Sequence, residues 1–353
     1  MEYQNIENNN TNVWQDPLVK AKVPKWGLFF SALILLCLLF LFFRFTEIKT
    51  VINLLCQIKP AWFFLAILAQ AATYFFTAVI YRDILAIYGR KDFSLKELYK
   101  LSVVSLFITQ VIPTAGVSGN GYIATYLNRR KVPPAKSVLT VALEMFTFYL
   151  AHLLVLITAF VYLFFNWLKG LSALIVSVTV LGALIYILLI GLALLLGSHR
   201  VLDFLSGKKE KKRWMNKLFG YLRVFDPKDG AAPENVWRAF CNNFGHLLPA
   251  LLWQIAIILA DTATVYFIFL GFNFQASFIG VLFGLILTKI IAMVSFTPGS
   301  LVFFEGAMVL FYSAFGIPLQ LSVIATIIFR ALSFWLPMPF GLIFYRHLRR
   351  YYI

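Results

Sequence analysis

Pro113-Thr-Ala-Gly-Val-Ser-Gly-Asn-Gly121 cuts short an apolar run, Leu98 to Ile112, that is too brief to cross a bilayer. A second run, Phe278 to Thr297, ends the same way at Pro298-Gly-Ser-Leu-Val-Phe-Phe-Glu-Gly306. Another apolar run follows each break, to Asn128 in the first case and over Leu301 to Phe315 in the second. Proline removes a backbone donor and glycine frees φ, so each break ends a helix. Irregular backbone is tolerated at membrane depth only where protein buries it or it lines a wet cavity. The two stretches therefore read as re-entrant hairpins or broken helices. The alternative is an extramembrane loop between two spans.

Working outward, the rest of the chain is membrane-like. Of its 353 residues, 61% are hydrophobic and only 13% charged, against about a quarter charged in a soluble domain. Runs long enough to span need about 20 residues. Trp26–Phe43, Ala61–Tyr81, Ser137–Phe165, Ser172–Leu196, Leu247–Leu270 and Leu319–Tyr345 qualify. The expectation is an all-α polytopic membrane protein with about six full transmembrane helices plus two re-entrant or broken-helix hairpins, related as inverted repeats. Residues 1–25 are polar and Asn-rich, without the charged-then-apolar order of a signal peptide, and read as a disordered cytoplasmic tail. Residues 26–353 form one integral membrane domain, with repeat one over about 60–165, a basic loop over 197–241 and repeat two over about 245–345.

The formal charge of +16 sits mostly between the apolar runs. That pattern fits the positive-inside bias and attraction to anionic lipid better than nucleic-acid binding, which is not expected. Lys20 to Lys25, Arg82 to Lys100, Arg129 to Lys131, Lys208 to Lys217 and Arg346 to Arg350 all fall on one side if each hairpin returns to the side it started from. Both termini are then cytoplasmic.

Pro113 and Pro298 are 185 positions apart, as are Gly121 and Gly306, Pro133 and Pro318, Ser137 and Ser322, and Val138 and Val323. The order of elements repeats too. The charge rule puts the base of the first hairpin inside and that of the second outside, so the copies are inverted. Inverted repeats with broken helices mark secondary transporters, whose site lies near the midplane between the copies. A duplication without transport is the blander reading. Pro113, Gly116, Gly119, Gly121, Pro298, Gly299 and Gly306 are read as setting hairpin geometry.

Ionisable groups inside spans are functional candidates. Here they are Glu144, His152, Asp261, Lys289, Glu305 and Arg330. Glu144 and Arg330 hold nearly equivalent positions in the two copies and are expected to meet near the centre, as a register-fixing ion pair or as substrate contacts. His152 lies about two turns after Glu144 and is a candidate ligand or proton relay on the same face, against the plainer role of a satisfied core residue. Asn120 and Glu305 each precede a glycine at a break, where backbone N–H groups are open. With Ser118 and Ser300 they form a candidate cradle for an anionic group such as a lipid phosphate, with Arg330 or Lys289 as countercharge. Cys37, Cys56 and Cys241 form no CxxC pair, so neither a disulfide framework nor a metal site is expected, and no cofactor. No Walker A, GxSxG or HExxH motif occurs.

With these residues in view, the chain resembles the lysylphosphatidylglycerol synthase transmembrane-region family, also described as flippase-like. The resemblance is carried by Pro113 to Gly121, Pro298 to Glu305, Phe315-Gly-Ile-Pro318, Phe329-Arg330, Trp335-Leu-Pro337 and Arg82. Val302, where the family often has Gly, and Phe329, where it often has Tyr, depart from the pattern. The resemblance implies movement of aminoacylated phosphatidylglycerol between leaflets, with aminoacyl transfer in a separate soluble domain that is expected to be absent here. The leading expectation is a lipid translocator of the bacterial cytoplasmic membrane, acting on an anionic or aminoacylated phospholipid, alone, as a homo-oligomer or beside a partner enzyme. The runner-up is a membrane enzyme, or a subunit of one, acting on lipid-linked amino acids or sugars. A structural membrane partner comes third.

Overall fold

A computed structural model describes residues 57–111, 117–166, 172–196, 236–295 and 297–350. The tail, the first apolar run Trp26–Phe43, Pro113, Gly116 and most of the basic loop lie outside the described residues. The helices are α1 (Pro60–Ala86), α2 (Leu95–Val111), α3 (Val117–Arg129), α4 (Pro134–Asn166), α5 (Ala173–Leu196), α6 (Val236–Asn242), α7 (Phe244–Gly271), α8 (Phe278–Val294), α9 (Phe303–Ala314), α10 (Leu319–Arg330) and α11 (Pro337–Arg350). A 3-10 turn covers Pro298–Ser300 and a π-turn, Ala331–Trp335, joins α10 to α11. Among the described residues, five elements are long and apolar enough to cross a membrane: α1, α4, Ala173–Leu194 of α5, α7, and Leu319–Leu348 as one rod. They match five of the six expected spans. Leu181, Leu184 and Leu188 on α5 point outward, as lipid-facing side chains do.

The limbs of each break are too short to span alone, at 17 and 13 residues for α2 and α3 and 17 and 12 for α8 and α9. They fold back on each other. A Cβ on Gly119 would lie 2.1 Å from Thr109 Oγ1 and 2.5 Å from the Ser105 carbonyl, so glycine lets α3 cross α2. Ser118 Oγ donates to the Ile108 carbonyl in the first hairpin, and Ser300 Oγ to the Ala292 carbonyl in the second. In both breaks the two limbs therefore pack as a hairpin. Gly121 and Gly306 face open space, so packing does not require glycine there.

The repeat is visible bond by bond. Shifted by 184 or 185 positions, the ends of α1, α3 and α4 fall on or within a residue of those of α7, α9 and the α10–α11 rod. Ser137 N donates to Pro133 O and Ser322 N to Pro318 O, each at 2.9 Å. Val132 N donates to Leu127 O and Ile317 N to Tyr312 O, each at 3.0 Å. Lys131 and Gly316 take the same left-handed turn, φ 60° and 81°. The shared prolines and serines therefore build one helix start, used twice.

α1 and α7 run antiparallel. Lys59 N bonds Gly271 O, Gln70 reaches Asp261, and Phe76 stacks on Trp253. The C-terminal end of α1 leads into the first hairpin, while its N-terminal end lies beside the start of the second. The hairpins thus enter from opposite ends of the bundle, as inverted copies must.

Candidate functional site

Both hairpins open onto one cavity of about 330 Å³. Its wall takes Gln70, Thr73, Tyr74, Thr77 and Tyr81 from α1, Ser102, Ser105 and Thr109 from α2, and Asn120 from α3. Glu144 of α4, Asp261 of α7, Lys289 of α8, Arg330 of α10 and Ser333 of the π-turn complete its polar lining. Unpaired charge in such a setting is costly, so cations here seek carboxylates.

Two ion pairs do this. Lys289 Nζ lies 2.7 Å from Asp261 Oδ2, and the other oxygen, Oδ1, accepts from Gln70 Nε2 at 3.3 Å. Arg330 Nε lies 2.6 Å from Glu305 Oε1, and its Nη2 donates to the Gly299 carbonyl at 2.8 Å. The guanidinium is also held between rings, 4.6 Å from the Phe304 centroid and 4.4 Å from Phe334. Phe334 fills the space over Gly299, where a Cβ would come within 2.0 Å of it. Arg330 therefore ties the turn of the second break to α9.

The expected pairing of Glu144 with Arg330 does not form. Arg330 turns to Glu305 within its own repeat, and Glu144 accepts from Gln254 Nε2 at 3.2 Å. Both still line the one cavity. Glu144 makes no ion pair among the described residues. His152 is displaced more fully. Eight residues overshoot two turns, and its ring sits fully buried against Phe148 and Tyr186, away from the cavity lining, with Nδ1 on the Phe148 carbonyl. The proposed cradle is also rearranged. The Ser118 and Ser300 hydroxyls are spent on helix carbonyls, while the Asn120 amide makes no hydrogen bond among the described residues and opens to the cavity. No group of three His, Cys, Asp or Glu suited to a metal occurs among the described residues.

The sequence reading missed Gln70, Thr73 and Thr77, which recur at helical spacing on one face of an apolar span. An uncharged polar stripe inside a span was the available signal. Ser102, Ser105 and Thr109 repeat it on α2.

The fold and cavity define a polytopic membrane protein of two inverted broken-helix repeats around a shared polar chamber. Residues 27–341 match the family model of the lysylphosphatidylglycerol synthase TM region, and the chain belongs to that family. It is similar to a UPF0104 membrane protein of Methanocaldococcus jannaschii, 23% identical over 336 residues, covering 92% of this chain and 96% of the relative. A UPF0104 membrane protein of Methanothermobacter thermautotrophicus is 24% identical over 267 residues, covering 71% of this chain and 75% of the relative. Both relatives are archaeal.

Proposed function

We propose that this protein is a lipid translocator in which a phospholipid head group passes between leaflets through the chamber between the repeats. One observation carries the reading: the two hairpins, which enter from opposite ends, line the same polar cavity. A site reached by two oppositely oriented broken hairpins is what alternating access needs. In this reading Lys289 and Arg330 are charge-compensated wall residues, and Glu144, without a cationic partner, meets a cationic part of the head group or a proton. The membrane is the cytoplasmic one and both termini face inward.

Purified protein in liposomes is expected to equilibrate labelled phospholipid between leaflets without a nucleotide or tRNA. Glu144→Gln should slow this roughly ten-fold or more, the scale of one lost charge-assisted contact, with the elution profile unchanged. Protein that moves no lipid of any head group overturns the reading. Orientation is tested by replacing Cys37, Cys56 and Cys241, then placing single cysteines beside Arg130 and Gly316. The two should label from opposite sides of the membrane.

A further inference from the structure

We propose that Gln70 sets the head-group preference of the cavity, its Oε1 accepting a hydrogen bond from an O–H or N–H of the lipid. The inference rests on the translocator reading and names the chemistry its site selects.

The starting point is where the wall's protons go. Thr73 Oγ1 donates to Gln70 O at 2.7 Å, Thr77 Oγ1 to Thr73 O at 2.9 Å, and Ser102 Oγ to Leu98 O at 2.9 Å. Tyr74 Oη donates to Ser333 O at 3.4 Å. The two cations point at Asp261 and Glu305. A hydroxyl that spends its proton on its own helix presents only lone pairs to the cavity. To these are added the Glu144 carboxylate and the Gln70 carbonyl. The Asn120 amide can serve as donor or acceptor. That part of the wall presents acceptors, while the hydroxyls of Tyr81, Ser105, Thr109 and Ser333 keep protons to donate.

Gln70 is the sharpest case. It is only 5% exposed, and its Nε2 reaches both Asp261 Oδ1 and Thr73 Oγ1 at 3.3 Å. A carboxylate accepts only, so the amide nitrogen must face Asp261 and the amide cannot be flipped. That leaves Oε1 as a buried acceptor without a partner. Such an atom is costly to leave unsatisfied, and a donor brought by a ligand relieves it. Polyol and ammonium head groups bring such donors. A choline head group has the charge of ethanolamine but no N–H, and a phosphate brings more acceptors.

The test is equilibrium binding of short-chain lipids to the purified full chain, read by native mass spectrometry. Ethanolamine- and choline-headed lipids are matched in charge, and a glucosyl-diacylglycerol supplies the neutral polyol. Wild type is expected to favour the ethanolamine and glucosyl heads over choline by roughly 3- to 10-fold, the worth of one hydrogen bond. The tighter of the two tells an N–H from an O–H donor. Gln70→Leu should bring the preference below about two-fold. Gln70→Met, closer to glutamine in shape, removes the same acceptor and keeps the test open if Gln70→Leu does not fold. Equal binding of ethanolamine and choline heads by wild type, or a preference that survives both variants, overturns the proposal. Lipid movement is followed in parallel. Preference without movement removes the translocator reading alone, and movement without preference removes the role of Gln70 alone.

Discussion

In the second hairpin the guanidinium sits at the break; in the first, the guanidiniums sit at the base. Arg330 ties Glu305 to the Gly299 carbonyl between two phenylalanine rings. The positions 185 residues earlier are Met145 and Asn120, which carry no charge. At the base of the first hairpin, Arg90 donates to the Arg130 and Lys131 carbonyls at 2.7 and 2.8 Å and pairs with Asp92. Arg90 and Arg130 lie over the same Phe93 ring, and Arg130 pairs with Glu97. The corresponding base of the second hairpin packs Phe269, Phe274 and Ile317 instead. One backbone plan thus serves twice, and charge was placed where each copy meets a different environment. A charged base suits a membrane surface lined with basic loops; an apolar base suits the opposite face.

The largest effect is expected from Arg330→Ala. It leaves the part-exposed Glu305 carboxylate without its cation and opens the ring sandwich, so it should cost about 3 kcal/mol, the lower end of the penalty for breaking a buried pair from one side. Thermal unfolding in detergent reads this, and Arg330→Lys should not restore it, because an ammonium cannot reproduce the planar two-donor fork. If Arg330→Ala unfolds like wild type, the break is not held by this residue.

A smaller effect of opposite sign tests the backbone. Val302 sits at φ 74° and ψ −52°, a strained γ-turn geometry for a β-branched residue. Glycine would hold this geometry without that strain. Val302→Gly relieves strain of about 1–3 kcal/mol and gives back part of it in chain entropy, for a net gain of about 1 kcal/mol. The midpoint of thermal unfolding should rise.

The smallest effect is at the charged base. Arg90→Ala should cost about 1 kcal/mol through the two lost carbonyl contacts. The Arg90 hydrogen bond holds the Asp92 carboxyl below its ordinary value of 3.8. A depressed carboxyl contributes stability above that ordinary value and loses it as pH falls through the lower folded value. The difference between wild type and Asp92→Asn should therefore be constant near neutrality and close only in acid below about pH 3.8. Asp92 is exposed, so that difference is slight.

Much of this architecture was legible in the sequence because Pro, Gly and apolar run length act locally. Pro133 and Pro318 mark helix starts whichever partner they pack on, and the 185-residue offset follows from such marks. The contacts were less legible. An offset says which residues are equivalent, not which touch, and Glu144 with Arg330 shows the difference. Arg330 met Glu305 because the π-turn and the second break bring α9 and α10 together within one repeat. His152 lies a fraction of a helical turn off the Glu144 face and sits in an aromatic cluster, in the plainer role of a core residue. Gln70, Thr73 and Thr77 carry no charge to mark them within an apolar span, although uncharged polar residues outnumber charged ones in the chamber wall.

The antiparallel pairing of α1 with α7 has a mechanical consequence. Lys59 with Gly271, Gln70 with Asp261 and Phe76 with Trp253 place the middle of the crossing near Thr73 and Ile257, both on the cavity wall. Under the proposed function, a see-saw motion of one repeat against the other would have its fulcrum there. In such a motion the outer ends of the helices would sweep the widest arcs, while the residues around Gln70 and Asp261 would barely shift. Such a lever would open the chamber to one leaflet and then the other without rebuilding its central wall.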